Sequence, residues 1–137
     1  MNKHQTGNVS ELLAAQFFIK NGYSISLPFD NFGEYDLIID NGVLSRVQVK
    51  TIYWDTNKQR HLISCVTSHI RGNLRRTNKK YTQTSFDFLL GVEILSHTYY
   101  LIPVDQLQNR RSITVYPNGK PLTVNNRYGD FETYKCK

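Results

Sequence analysis

Cysteine is scarce: two residues in 137, Cys65 and Cys136, with no Cys-x-x-Cys spacing. That excludes a thiolate-built structural zinc site and argues against a disulfide scaffold, and it points to a reduced, intracellular compartment. No apolar run approaches the ~20 residues of a membrane span, and the N-terminal MNKHQTGNVSE lacks the apolar segment of a secretory signal. The four prolines and eight glycines gather into no linker, and there is no repeat or low-complexity tract. One domain over residues 1–137 is therefore expected, too small for a barrel enzyme or a kinase. Phosphate-loop, dinucleotide and nucleophile motifs are all missing. His4, His61, His69 and His97 are scattered, with no ligand spacing on a helix. Acidic residues are few, 11 against 17 Lys plus Arg, for a net charge of +6. That surplus favours a polyanionic partner, and without membrane signals nucleic acid is the leading one.

What is present is an ordered series of elements. An apolar segment from about residue 5 to 21, stopped by Asn21-Gly22, reads as a helix. Strands are expected at Tyr23 to Leu27, Glu34 to Asp40, Leu44 to about Trp54 and Arg60 to Thr67. Residues 68–85 are polar and poorly periodic, with room for a short helix. Further strands are expected at Phe86 to Leu95, Thr98 to Pro103 and Ser112 to Val115, with a short helix at Val104 to Gln108. The class is α+β, a mixed sheet flanked by helices.

One constellation carries chemistry. Asp36 lies in a strand otherwise fit for burial, where a carboxylate is costly unless paired or bound to a cation. Twelve residues later comes Val47-Gln48-Val49-Lys50, whose alternation sends Gln48 and Lys50 to one face. Glu11 shares a helical face with Ala14, Ala15 and Phe18, a face that should point at protein. Two carboxylates, an amide oxygen and an ammonium suit phosphodiester hydrolysis around a hard, oxygen-loving cation. The register decides whether they meet. A two-residue Asn41-Gly42 turn sets Asp36 opposite Val47 and sends it to the wrong face. A three-residue loop, Asn41 to Val43, sets Asp36 opposite Gln48, and that loop is expected. Asp30, Glu34 and Asp40 read as turn and surface residues, and Asp87 as structural, holding the 68–85 connector.

Asp36, Gln48-x-Lys50 and the helical Glu11 resemble the PD-(D/E)xK nuclease superfamily, and within it the small intron-encoded homing endonucleases of cyanobacterial type, whose strand also reads Gln-x-Lys. The resemblance covers roughly residues 7 to 52. It departs from the common pattern at Gln48, where Glu or Asp is usual. It implies a restriction-endonuclease-like αβββαβ core with additional C-terminal strands. By the same resemblance Glu11, Asp36, Gln48 and Lys50 would form the catalytic set. Asp36, Gln48, the Val49 carbonyl and Glu11 would hold Mg²⁺, with Mn²⁺ able to substitute, and Lys50 would act on water or the transition state. The activity implied is metal-dependent DNA endonuclease cleavage giving 5′-phosphate and 3′-hydroxyl ends, in the bacterial cytoplasm. A resolvase for four-way junctions, a restriction-type enzyme and a non-catalytic DNA-binding protein of the same fold are the alternatives.

The DNA partner has candidate contacts. Residues 68–81 hold Arg71, Arg75, Arg76, Lys79 and Lys80 and no acid, which reads as a DNA-contacting connector gripping phosphates. Trp54, Lys58 and Arg60 form a second candidate group. Arg110 and Arg111 have no assigned place. Cutting both strands of a duplex needs two sites, hence a symmetric homo-oligomer, dimer or tetramer, the tetramer slightly favoured by resemblance. No membrane and no other protein partner is implied.

Overall fold

The computed structural model describes residues 1–30, 34–71, 75–80, 85–107, 109–122 and 129–137, with backbone only for 67–71 and 75–80. Helix α1, Lys3–Lys20, starts earlier than the apolar pattern suggests. Its signal is a capping box: Asn2 Oδ1 accepts from the Gln5 N–H at 2.9 Å, and Asn2 N–H donates to Gln5 Oε1 at 2.9 Å. Glu11 therefore sits in mid-helix, not in a first turn.

Among the described residues ten strands follow: β1 (Ser24–Ser26), β2 (Leu37–Asp40), β3 (Leu44–Thr51), β4 (Tyr53–Asp55), β5 (Arg60–Ser64), β6 (Val66–Arg71), β7 (Arg75–Lys80), β8 (Phe88–Glu93), β9 (Thr98–Pro103) and β10 (Ser112–Val115). Short 3-10 turns cover Val104–Leu107 and Glu132–Tyr134. The strands form a five-stranded sheet ordered β1-β2-β3-β8-β9, a three-stranded sheet β10-β5-β4, and the two-stranded ribbon β6-β7. The class is mixed α+β, as expected.

Three expectations about elements change. The long strand to Trp54 breaks at Ile52, whose N–H still donates to the Val92 carbonyl at 2.8 Å before the chain leaves for the second sheet. The strand expected through Thr67 breaks at buried Cys65. The 68–85 connector is not helical where it is described. Val66, Thr67, Ile70 and Thr77 are β-branched and suit the antiparallel ribbon, paired from Val66↔Lys80 to Arg71↔Arg75. Among the described residues α1 is the one α-helix, so the crossover from β3 to parallel β8 is made of strands rather than the second helix of the αβββαβ pattern.

The five-stranded sheet has apolar layers on both faces. Ala14 and Phe18 of α1 pack with Leu37, Ile39, Val47, Val49, Leu90 and Val92. On the other face Leu89, Tyr100 and Ile102 pack with Ile63 of β5 and Ile113 and Val115 of β10. Central β8 faces both layers and reads as an unbroken apolar run, as a strand covered on both faces should. The C-terminal segment closes the second layer: Glu132 accepts from the Tyr100 hydroxyl at 2.7 Å and from the Tyr116 N–H at 2.6 Å.

Gly91 sets the approach of the two sheets. A Cβ there would lie 2.5 Å from Ile63 Cδ1, 3.3 Å from Ile63 Cγ1 and 3.4 Å from Ile52 Cγ1. Ile63 is fully buried, so any shift of its side chain has to be taken up by the core around it. Gly91→Ala is expected to destabilise the chain by about 1–3 kcal/mol through overpacking, and Ile63→Val should return part of that loss in the double variant. Urea denaturation of the two singles and the double checks this; strictly additive losses would contradict it.

Candidate active site

The β2–β3 hairpin decides the geometry. Its register pairs Leu37↔Val47, Ile38↔Arg46, Ile39↔Ser45 and Asp40↔Leu44, leaving Asn41, Gly42 and Val43 as a three-residue loop. Gly42 has φ +108°, a value that disfavours any side chain. Asp40 Oδ1 accepts from the Gly42 N–H at 2.8 Å, so Asp40 is the turn residue it was expected to be. The ladder ends at Leu37↔Val47, and Asp36 lies one residue beyond it.

Asp36 ends the ladder with its own side chain. Its N–H donates to the Val47 carbonyl at 2.8 Å, and its Oδ2 accepts from the Val49 N–H at 2.7 Å. It caps the strand end and is fixed by doing so. Arg46 does not pair with it. Arg46 N–H and Nε donate instead to Asp87 Oδ2 at 2.7 and 3.4 Å. Asp87 is structural, but it holds the start of β3 rather than the connector.

The other candidates gather around Asp36. Val47 and Val49 face α1, while Gln48 and Lys50 are half-buried on the opposite side of β3. The Gln48 side-chain amide lies against the Val49 carbonyl, Nε2 to O 3.4 Å, so two of the expected oxygen donors are neighbours. Lys50 Nζ donates to the Val66 carbonyl at 3.2 Å. Glu11 is exposed as a residue, yet its carboxyl lies near enough to Asp36 to feel its charge. Glu11, Asp36, Gln48, Val49 and Lys50 are thus brought to one place.

The electrostatics are those of crowded like charges in a partly dry site. Burial pushes the Asp36 carboxyl above the ordinary carboxylate range, against the pull of the Val49 N–H, Lys50 and Glu11. Burial and then the Asp36 charge push Glu11 up as well. Burial holds the Lys50 ammonium below the usual lysine range; Asp36 opposes this and Lys3 reinforces it. Among the described residues no three His, Cys, Asp or Glu side chains cluster. The donor set is two carboxylates, an amide and a carbonyl: oxygen only, with two negative charges in mutual reach. That composition fits a hard divalent cation, which would relieve the repulsion. Buried Cys65 is pushed up to about 12 and stays a thiol, which removes it as a nucleophile.

Sequence reasoning missed the strut of this site. Ser10, only 1% exposed, shares a 2.6 Å hydroxyl contact with Thr51. It ties the turn before Glu11 to the residue after Lys50. A small polar residue in the stripe of Ala14 and Phe18 was the available signal. Lys3 is the second omission.

The expected DNA contacts divide. Trp54 is exposed on β4, edge-on to the His61 ring at 4.9 Å. Lys58 is exposed in the β4–β5 turn, its N–H held by Asp55 Oδ1 at 2.9 Å. Arg60 is half-buried at the start of β5. Arg71, Arg75, Arg76, Lys79 and Lys80 lie on the β6–β7 ribbon, and their side chains are outside the described residues. The backbone register sets Arg71 opposite Arg75. No helix among the described residues is long and apolar enough to cross a membrane.

A family model described as PD-(D/E)XK endonuclease matches residues 1–134. The solved structure of a bacterial homing endonuclease, I-Ssp6803I, is similar with a TM-score of 0.83 at 19% identity, over 98% of this chain and 89% of that one. The crystal structure of MepB is similar with a TM-score of 0.53 at 17% identity, over 99% and 97% of the two chains. At such identities the likeness is one of fold. No curated protein matches the sequence.

The raised carboxyls give a signed expectation. Asp36 and Glu11 hold protons more tightly folded than unfolded, so their contribution to stability is present in acid and lost as pH rises through the folded pKa values. Asp36→Asn keeps an oxygen for the Val49 N–H and removes the charge. It should raise the Tm of the metal-free protein at pH 7 by about 2–4 °C, with the gain vanishing below about pH 4. Thermal scans in EDTA at both pH values decide it; an equal fall at both would show that only the hydrogen bond mattered.

Proposed function

The chain belongs to the PD-(D/E)XK endonuclease family, and from that premise we propose that it is a site-specific, divalent-metal-dependent DNA endonuclease of the homing type. The reaction is hydrolysis of phosphodiesters to 5′-phosphate and 3′-hydroxyl ends. The observation that best supports this reading is the Asp36 carboxylate, held by the Val49 N–H at the end of the hairpin and under the charges of Glu11 and Lys50. The fold likeness to a bacterial homing endonuclease supports the homing class over the resolvase and restriction alternatives. In this reading residues 1–137 are one nuclease domain, acting as a symmetric homo-oligomer so that both strands are cut.

Each residue has a role. Asp36, Glu11, the Gln48 amide oxygen and the Val49 carbonyl would hold Mg²⁺, or Mn²⁺ in its place. Bound there, the cation supplies Lewis acidity toward the scissile phosphate and makes water a stronger acid. Asp36 is held for this by the Val49 N–H, so its second oxygen needs no reorganisation. Lys50, anchored by the Val66 carbonyl, orients the attacking water and offsets the negative charge that develops on the phosphoryl oxygens. Its lowered pKa eases loss of a proton. Ser10 and Thr51 keep the helix carboxylate and the lysine in register. The ribbon from Val66 to Lys80 grips DNA phosphates.

Gln48 contributes no charge, so two carboxylates hold the cation. One tightly bound ion is expected in the absence of DNA, and calorimetry finding two tight Mg²⁺ sites would contradict that. The decisive experiment incubates the protein with supercoiled plasmid and long duplex libraries, with and without Mg²⁺, beside Asp36→Asn and Lys50→Ala. The expected outcome is Mg²⁺-dependent cutting at a rare sequence, reduced at least ~10³-fold in each variant, with DNA binding retained. Binding without cutting, across several divalent metals and four-way junctions as well, would reject the catalytic reading.

A further inference from the structure

The three-stranded sheet carries a cleft that the catalytic reading leaves unused. It has a volume of about 400 Å³ and is lined by Arg60, Arg110 and Arg111 with the hydroxyl residues Ser112 and Thr114, and, among the described residues, by no carboxylate. Arg60 lies beyond one end of the β5–β10 pair and Arg110 and Arg111 beyond the other, and the cleft runs between them over Ser112 and Thr114.

Arg60 and Arg110 are built into place. Arg60 Nε is buried and, among the described residues, meets no hydrogen-bond partner. Its cross-strand neighbour Asp55 turns Oδ1 to the Lys58 N–H. A buried donor of a permanently charged group calls for an acceptor. Asn109, at φ +63°, turns the chain into Arg110 and Arg111 ahead of β10. Arg110 lies over the Phe131 ring, Cζ 4.9 Å from the centroid, and a Cβ at Gly129 would come within 3.3 Å of its Nη2. A guanidinium stacked in this way keeps its planar fork in the geometry that matches phosphate oxygens.

We propose that this cleft is a second phosphodiester subsite, taking a backbone phosphate of the bound duplex away from the scissile one; the proposal rests on the DNA nuclease reading. The connection to the candidate active site is short. Lys50 Nζ donates to the Val66 carbonyl at 3.2 Å, and the preceding Cys65 N–H donates to the Arg111 carbonyl at 2.8 Å. The basic ribbon starts at the same Val66. Lys50, the ribbon and the arginine cleft therefore meet at Cys65–Val66. A DNA strand seated at Asp36 and Lys50 has phosphates to either side of the scissile one for the cleft to hold.

The test is duplex binding by the full chain in EDTA, read by fluorescence anisotropy across a salt series. Arg60→Gln and Arg111→Gln should each weaken binding about tenfold near 0.1 M salt and lower the log–log salt slope by about one. The Arg60 Nε–H resonance, assigned by its loss in Arg60→Lys, should shift on adding duplex. That readout holds even if a variant is poorly folded. A shift with inorganic phosphate but none with duplex would make the cleft a small-anion site and overturn the proposal. So would unchanged affinity and slope in both Gln variants while wild type binds. A wild type that binds no duplex would overturn the nuclease reading together with the cleft, so the two failures are told apart.

Discussion

A single charge-assisted hydrogen bond joins fold to chemistry here: the Val49 N–H to Asp36 Oδ2 at 2.7 Å. It forms where β2 has run out of backbone partners and the side chain takes over the ladder. Its existence depends on the register, which depends on Gly42 in its left-handed conformation and on Asp40 holding the turn. Slip the pairing by one residue and Asp36 moves to the helix side, while Leu37 faces the site. The apolar layer under α1 forbids that slip, because Leu37, Ile39, Val47 and Val49 would leave it together. The same hydrophobic pattern that folds the sheet therefore places the carboxylate.

The second layer has a complementary role. It presses β5 and β10 against the sheet through Gly91, and in doing so it brings the Val66 carbonyl to Lys50. Lys50 is thus held by the first residue of the β6–β7 ribbon. The site draws on α1, β2, β3 and the start of β6, and it requires both apolar layers to be complete.

Most of this was legible in the sequence where periodicity was strong. Strands β9 and β10 were read to the residue, and the three-residue loop followed from asking what the chemistry needs. The breaks at Ile52 and Cys65 were not legible. Both are apolar residues that continue the strand pattern, and only the split into two sheets explains them. The early start of α1 was written in Asn2 and Gln5, but capping is a weaker signal than an apolar stripe. The ribbon was obscured by its charge: Arg and Lys at 71–80 hide the alternation that Val66, Thr67, Ile70 and Thr77 carry. Arg46 with Asp87 is a long-range meeting that no local pattern encodes. Among the candidate site residues, those on one hairpin were the readable ones.

The strand-built crossover has a consequence for how the chain comes together. α1, β1, β2 and β3 are contiguous and can associate as soon as they are made, bringing Glu11, Asp36, Gln48 and Lys50 into one neighbourhood. The far edge of β3 stays bare until β8 arrives, after residues 52–87 have been laid down. Closing so distant a parallel pair is slow compared with a hairpin. During that interval the nascent protein presents an unpaired, apolar strand edge of the kind that captures other chains. The dense positive charge that follows on residues 71–80 keeps such chains apart by mutual repulsion. The segment we assign to gripping DNA would in this way also act earlier, as a solubility device for the half-folded protein.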